Sequence, residues 1–345
     1  MSNNEHPGID TALEATETVT PIPHSKNEEV RREERVLTAE ERAEIFRVAI
    51  EEGVEAARQM VAERFEQAPD KYDRLAFHNM RHTNDVIRRF DTIIETIKTS
   101  APELYDKHAH EIGRLSAAHH DTVQKWEPNA SVDEEGLVKI MRKRSIGQNE
   151  AESTEGALLH MDKINEEAGT EIFTESDKMI IRGGHEATVP GFNPEKGTVI
   201  QPHLTEQSSI ITRAIALADL GTAGMDGPEA YLPEGDALFR EENIDIADAM
   251  EHPEILTDAQ KSFFRKRMLG WSAFQSTFAA GRKAMLEEEI RPLPTQVQEE
   301  LKTLFSKFND SISAAEAQGA RRATLSFEAL AAEMGYTWST ETKEE

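Results

Sequence analysis

The chain of 345 residues contains no cysteine. That absence excludes disulfides, thiolate metal sites and cysteine nucleophiles together. Long apolar runs are missing as well. No stretch reaches the roughly 18 apolar residues that a spanning helix needs, so no membrane span is expected. The first residues, Met-Ser-Asn-Asn-Glu-His, lack the basic segment and apolar stretch of a secretory signal, and a cytoplasmic location is the expectation. Basic residues are the third shortage: 39 Lys and Arg stand against 65 Asp and Glu, for a formal net charge of -26. Such a surface repels polyanions and argues against broad nucleic-acid binding. Solubility is the plainest role of the acidity. It also sets a condition: an anionic substrate needs local positive charge or a metal to receive it.

What is present reads as helix. Met1 to about Arg35 mixes Thr, Pro, Asn and Glu without apolar period. Such a segment cannot bury enough apolar surface to offset its ordering entropy, so a disordered tail is expected over residues 1–37. Order is expected from Thr38, where Thr38-Ala-Glu-Glu41 makes a capping box. Ile45, Phe46, Ala49, Val54, Ala57, Met60, Val61 and Phe65 then recur at three-to-four spacing and predict one helix to about Gln67. Further helices are expected over residues 72–98, 102–120, 133–145, 150–168 and 204–221. Residues 126–129 read as a turn-rich break, Gly183-Gly184 as punctuation, 191–203 as a long loop and 226–234 as a loop rich in Gly and Pro. Thr257-Asp-Ala-Gln260 is a second capping box opening a helix toward Glu289, which Pro292 and Pro294 end. Helices over 295–318 and 326–334 follow, then a frayed tail over 338–345. There is no internal repeat and no sustained strand alternation. The expected fold class is all-α.

Three places in this helical frame carry metal-ligand chemistry. His78 and His82 are four apart on a predicted helix, hence on one face and able to address one point. His120-Asp121 ends the apolar segment Leu-Ser-Ala-Ala-His-His-Asp and offers one nitrogen and one oxygen ligand from adjacent positions. Asp219 sits in Ala-Ile-Ala-Leu-Ala-Asp-Leu-Gly, where an isolated carboxylate is costly to bury and so should be paired or metal-bound, or else cap a helix. A nitrogen and oxygen donor set without thiolate suits Mn, Fe, Zn, Co or Mg.

The order Phe77-His78-Asn79-Met80-Arg81-His82-Thr83, then His120-Asp121, then Asp219 resembles the HD superfamily of metal-dependent phosphohydrolases. His-Asn-x-x-His is similar to the motif of cyclic-nucleotide phosphodiesterases. Asn149-Glu150-Ala-Glu152-Ser153 resembles the Asn-Glu-x-x-Ser segment of bacterial HD phosphohydrolases. The likeness covers residues 72–224. It implies an HD-type helical bundle over 38–255, with a C-terminal helical extension over 256–338. It implies that His82, His120, Asp121 and Asp219 bind a divalent metal, with Asp121 bridging to a second ion if one is present. His78 would be the general acid, and Glu150 would hold the attacking water or stand one hydrogen bond behind it. The implied reaction is hydrolysis of a small anionic phosphoester such as a nucleotide or cyclic nucleotide. Phe77 and Gln124 stand where relatives tend to have Tyr, so substrate identity does not carry over. His119 is expected outward or behind the ligands.

Arg142-Lys143-Arg144, in an otherwise acidic protein, reads either as a phosphate clamp or as a solvated helix face. His185-Glu186, after two glycines, reads as an extra ligand or a gate of the pocket, with His185 a substrate-binding candidate, against a plain structural role. Phe263, Phe264, Trp271, Phe274 and Phe278 recur at helical spacing and read as core or oligomer contact rather than a base-stacking platform. Two other functions fit the residues. One is a di-iron oxygenase of HD architecture, with His185 and His160 as added ligands. The other is a catalytically silent nucleotide-sensing or scaffold protein, assembling as a homo-oligomer through the C-terminal helices.

Overall fold

The structure is a computed structural model that describes residues 37–134 and 136–337. The tails expected over 1–37 and 338–345 fall, apart from Leu37, outside the described residues. Helix α1 (Ala39–Val61) begins at the expected capping box: Thr38 accepts from Glu41 N, and Glu41 returns a bond to Thr38 N. It runs on through a π-turn over Ala62–Glu66.

The next helix starts later than its spacing predicts. Helix α2 spans Met80–Ser100, because the Asn79 side chain caps it by accepting from Arg81 N and His82 N. His78 therefore lies ahead of the helix, and the same-face argument for His78 and His82 does not apply. Within α2, Val86, Phe90, Ile93, Ile94 and Ile97 form the buried stripe. Helix α3 (Lys107–His119) packs against it at Gly113, where a Cβ would lie 2.3 Å from the Phe90 ring.

Residues 126–145 are a hairpin rather than a break and a helix: β1 (Trp126–Val132) pairs antiparallel with β2 (Val138–Arg144). The turn is set by Gly136 at φ 82° and by Asp133, whose backbone carbonyl accepts from Gly136 N and whose side chain accepts from Leu137 N. Arg142 stacks on the Trp126 ring at 4.2 Å, and Asp245 accepts from Ile140 N. These tertiary ties override the helical propensity of a Lys- and Arg-rich segment.

Helices α4 (Gln148–Ala168) and α5 (Glu175–Thr188) follow. Gly183-Gly184 lies inside α5 rather than between elements. A Cβ on Gly184 would sit 2.4 Å from Ser116 Oγ, so the glycine serves close helix approach. The expected long loop contains a second hairpin, β3 (Gly191–Asn193) with β4 (Thr198–Ile200). Helix α6 (Ile210–Asp219) leads into α7 (Thr222–Met225) and α8 (Pro228–Glu242). The Gly- and Pro-rich stretch is thus helical, with Pro228 in the first turn, where its missing N–H costs nothing.

Helix α9 (Ile244–Ala249) precedes α10 (Asp258–Ile290), which starts at the second capping box. The next predicted helix is two, α11 (Thr295–Leu304) and α12 (Phe308–Arg322), and α13 (Phe327–Glu333) is last. The described residues are mostly helical, with two short two-stranded sheets as the departure from an all-α reading. None of their helices is long and apolar enough to cross a membrane.

The main core joins both halves of the chain. Ile50, Phe90, Ile94, Ile112, Leu115 and Ile215 pack in one cluster with Leu286, Ile290, Val297 and Leu301. Each such side chain, fully buried, contributes about 1.5–3 kcal/mol. A second cluster joins Phe239 and Ile246 to Phe264, Met268, Phe327 and Leu330. The helices after residue 256 therefore share their core with the elements before it.

Candidate metal centre

Four side chains from three helix ends meet at one point. His82 comes from the first turn of α2, His120 and Asp121 from the C-terminal end of α3, and Asp219 from the last residue of α6. One ligand atom from each lies within 4.8 Å of all the others. The His120 Nε2 to Asp121 Oδ2 distance is 3.0 Å, and His82 Nε2 is 3.3 Å from the same oxygen. Both imidazoles stand 3.6 Å from Asp219 Oδ1. Asp219 ends its helix and caps none.

The donor set fits a divalent ion. The Nε2 atoms of His82 and His120 are buried and make no well-formed hydrogen bond. His120 Nδ1 donates to the Ala117 carbonyl at 2.9 Å, which leaves a lone pair on Nε2. Ligands about 2.1 Å from a common ion lie about 3.0–3.4 Å apart at octahedral or tetrahedral angles, close to the spacing seen. Without an ion the cluster holds its charge by ion pairing. Burial opposes a proton on His82, but Asp121 and Asp219 outweigh it and raise the group to about 9. Burial likewise opposes a charge on His120, and the same carboxylates raise it well above the usual imidazole range. In turn burial disfavours charge on Asp121 and Asp219, yet the imidazoles hold both well below the usual carboxylate range.

A cavity of about 290 Å³ opens onto this cluster, with Asp121 and Asp219 in its wall. His78 and Glu150 also line it. His78 Nε2 stands 4.0 Å from Asp121 Oδ2, while Nδ1 is 2.5 Å from Glu241 Oε1. The other Glu241 oxygen accepts from Phe77 N and His78 N. Burial opposes the Glu241 charge, but His78 and the Phe77 amide hold its carboxyl down to about 2. Glu150 accepts from Gly147 N at 2.6 Å, and burial raises its carboxyl above the usual range.

The basic triplet divides three ways. Arg144 lines the cavity with its Nε fully buried and makes no side-chain hydrogen bond or close ion pair among the described residues, though its charge acts on the carboxyls of Glu150, Glu241 and Glu242. Arg142 points elsewhere: its guanidinium donates to the Glu241 and Tyr72 carbonyls and stacks on Trp126. Lys143 is exposed and pairs with Glu127. Strand alternation puts Lys143 on the face opposite Arg142 and Arg144, and Arg142 is taken up by backbone carbonyls, so a three-residue clamp does not form.

His185 is no cavity contact either. It is wholly buried, with Nε2 on the Ser116 carbonyl and Nδ1 against Thr154 Oγ1. His160 Nε2 meets the Ala49 carbonyl at 3.0 Å. Neither joins the ligand cluster, so the added ligands of a di-iron site are not assembled. His119 is buried rather than outward and bonds the Gly53 carbonyl at 3.1 Å.

Several cavity residues went unread in the sequence. Glu234 and Tyr231 come from α8, as does the His78 partner Glu241, which lies behind the wall. Trp271, Phe274, Gln275 and Phe278 come from α10. The 271, 274, 278 spacing reads as core contact, and Trp271 and Phe278 do pack against the core clusters, as Phe264 sits within one; the three rings line the cavity as well. Gln275 is 4 % exposed, and its side-chain amide has no hydrogen-bond partner among the described residues. Comparison with protein-family models, with curated proteins and with solved structures finds no match to this chain.

Proposed function

We propose that this chain is a metal-dependent phosphohydrolase of the HD type, acting on a small phosphoester such as a nucleotide or cyclic nucleotide. One observation carries the reading: four ligand-type side chains meet beside a cavity that also holds an oriented imidazole, His78, and a guanidinium with no close ion pair, Arg144. His82, His120, Asp121 and Asp219 would hold a divalent ion, with Mn, Mg, Fe, Co or Zn suited to the donors. Bound there, such an ion supplies Lewis acidity toward water and the phosphoryl oxygens.

The chain's own groups supply the rest. Arg144 receives phosphate oxygens through charge-assisted hydrogen bonds, the local positive charge that a -26 protein needs for an anion. His78 is fixed by Glu241 at Nδ1 and is free at Nε2 to deliver a proton to the leaving oxygen. Glu150, its carboxyl raised by burial, orients the attacking water. The aromatic wall from α10 excludes bulk solvent and holds the organic part of the ester.

The test is phosphate release from a panel of phosphomonoesters and phosphodiesters with Mn or Mg. Wild-type protein is expected to turn over at least one class, and Asp121→Ala to abolish the activity. A folded, metal-loaded protein inert toward every ester would overturn the proposal.

A further inference from the structure

The β3–β4 hairpin contributes one residue whose position the metal chemistry does not explain. Phe192 lines the cavity, yet it is 56 % exposed. Its partner across the hairpin is Val199, so the two share a face, and Val199 lines the cavity too. The Phe192 ring stands 6.5 Å from Phe274 at an interplanar angle of 41°. Phe274 is 5.8 Å from Trp271 and 6.1 Å from Phe278. Phe192 is thus the outermost of four neighbouring rings, three of them spaced along one face of α10.

The hairpin is held in place by ties to α10. Thr198 is fully buried, donates to the Phe278 carbonyl and sits where Gly281 leaves room; a Cβ there would lie 2.5 Å from Thr198 Cβ. Arg282 donates to the Val199 carbonyl at 3.0 Å, and Lys196 pairs with Glu288 at 2.6 Å. The turn closes through Asn193, which accepts from Glu195 N and Lys196 N, and through Gly197 at φ 60°. These ties fix the Phe192 backbone and leave the ring its own side-chain rotations. A large ring clasped at a cavity wall with one face bare suits a ligand that covers that face.

We propose that Phe192 is a specificity-determining residue, gripping with Phe274 the flat ring of a phosphoester that bears one. It selects heteroaromatic phosphoesters over aliphatic ones of equal charge. The inference rests on reading the cavity as the substrate site.

The experiment is calorimetric titration of adenosine monophosphate and of glycerol 3-phosphate into the full chain, with and without Mn. It compares wild type with Phe192→Ala and Phe192→Tyr, with thermal melts to confirm folding. Loss of one stacking partner is expected to weaken adenosine monophosphate binding about tenfold in Phe192→Ala. Phe192→Tyr is expected to match wild type, and glycerol 3-phosphate to bind all three alike. Unchanged adenosine monophosphate affinity in a folded Phe192→Ala overturns the inference, as does equal weakening of both ligands or failure of wild type to bind adenosine monophosphate. Phe192-dependent binding without turnover of any ester would uphold the grip and remove the phosphohydrolase reading. Turnover with no Phe192 dependence would do the reverse.

Discussion

Substituting Glu241 probes the link between fold and proposed chemistry. Its carboxylate takes three donors, His78 Nδ1 on one oxygen and the amides of Phe77 and His78 on the other. In Glu241→Gln one of those faces must meet an amide NH2, so at least one buried donor loses its acceptor. Desolvated, unpaired donors of this kind cost about 1–3 kcal/mol each. The charge adds a pH-dependent part. Burial disfavours the carboxylate, but His78 and the Phe77 amide hold it down to about 2 against an ordinary value of 4.5. At about 1.4 kcal/mol per unit that is a ceiling of roughly 3 kcal/mol. Because the folded value is depressed, this contribution is full above about pH 4.5 and is lost as pH falls toward 2. Urea unfolding of wild type and Glu241→Gln should therefore differ by about 3 kcal/mol at pH 7, narrowing to about 2 kcal/mol at pH 3.5. In the proposed reaction the variant should lower kcat with little change in KM, since His78 loses the negative charge behind it while Arg144 keeps the phosphate. Equal stability at pH 7, or a gap that ignores pH, would refute the assignment of Glu241 as the residue that holds His78.

Two further outcomes are expected. His185 is buried, and burial first, then the neighbouring His120 and His119, depress its imidazole to about 3. The folded chain then binds fewer protons there than the unfolded chain between pH 6.5 and about 3, so stability falls with pH across that window by up to about 1.4 kcal/mol per unit; His185→Gln should flatten the acid limb of a stability profile, and an unaltered limb would contradict this. Metal loading should raise the melting temperature: at a hundredfold excess over Kd an ion adds about 2.7 kcal/mol, or about 4 °C for a domain of roughly 300 residues. His82→Ala should erase the shift, and a wild-type chain unmoved by Mn, Co, Zn, Fe or Mg would count against an ion site.

The sequence disclosed the parts of this molecule whose cause is local. Thr38 and Thr257 cap their helices as the pattern reads, because a capping box is complete within four residues. The cluster of His82, His120, Asp121 and Asp219 was legible less from any one of its parts, a His-Asp pair being common by chance, than from their order along the chain, which resembles the HD superfamily. What stayed hidden depends on contacts far along the chain. Hairpin β1–β2 was read as a break over 126–129 and a helix over 133–145, since the charged residues of the second strand favour helix until Asp245 and Trp126 give them partners. Arg144 and Arg142 look equivalent in a run of three, and only the distant Glu241 and Tyr72 carbonyls draw Arg142 away while Arg144 lines the cavity. Glu241 lies 163 residues from His78, and nothing in its neighbourhood marks it.

Elements late in the chain also support the cavity wall. Helix α8 carries Glu241, and its position is fixed from two sides. Glu234 meets the buried Arg89 of α2 at 3.3 Å and takes the Thr222 hydroxyl at 2.7 Å. Two residues on, both Asp236 oxygens take the buried guanidinium of Arg322 in α12 at 2.8 and 2.6 Å. Gly235, between them, lets α10 approach; a Cβ there would lie 2.5 Å from Gln275 Oε1, and Trp271 donates to the Gly235 carbonyl at 2.8 Å. Buried ion pairs add little net stability over apolar packing, but they permit few geometries. Here the geometry they hold is the register of α8, and with it the carboxylate that orients His78. Through Glu234 and Arg89 the same helix is tied to α2, which carries His82, so the proposed acid and the proposed ion site share a support.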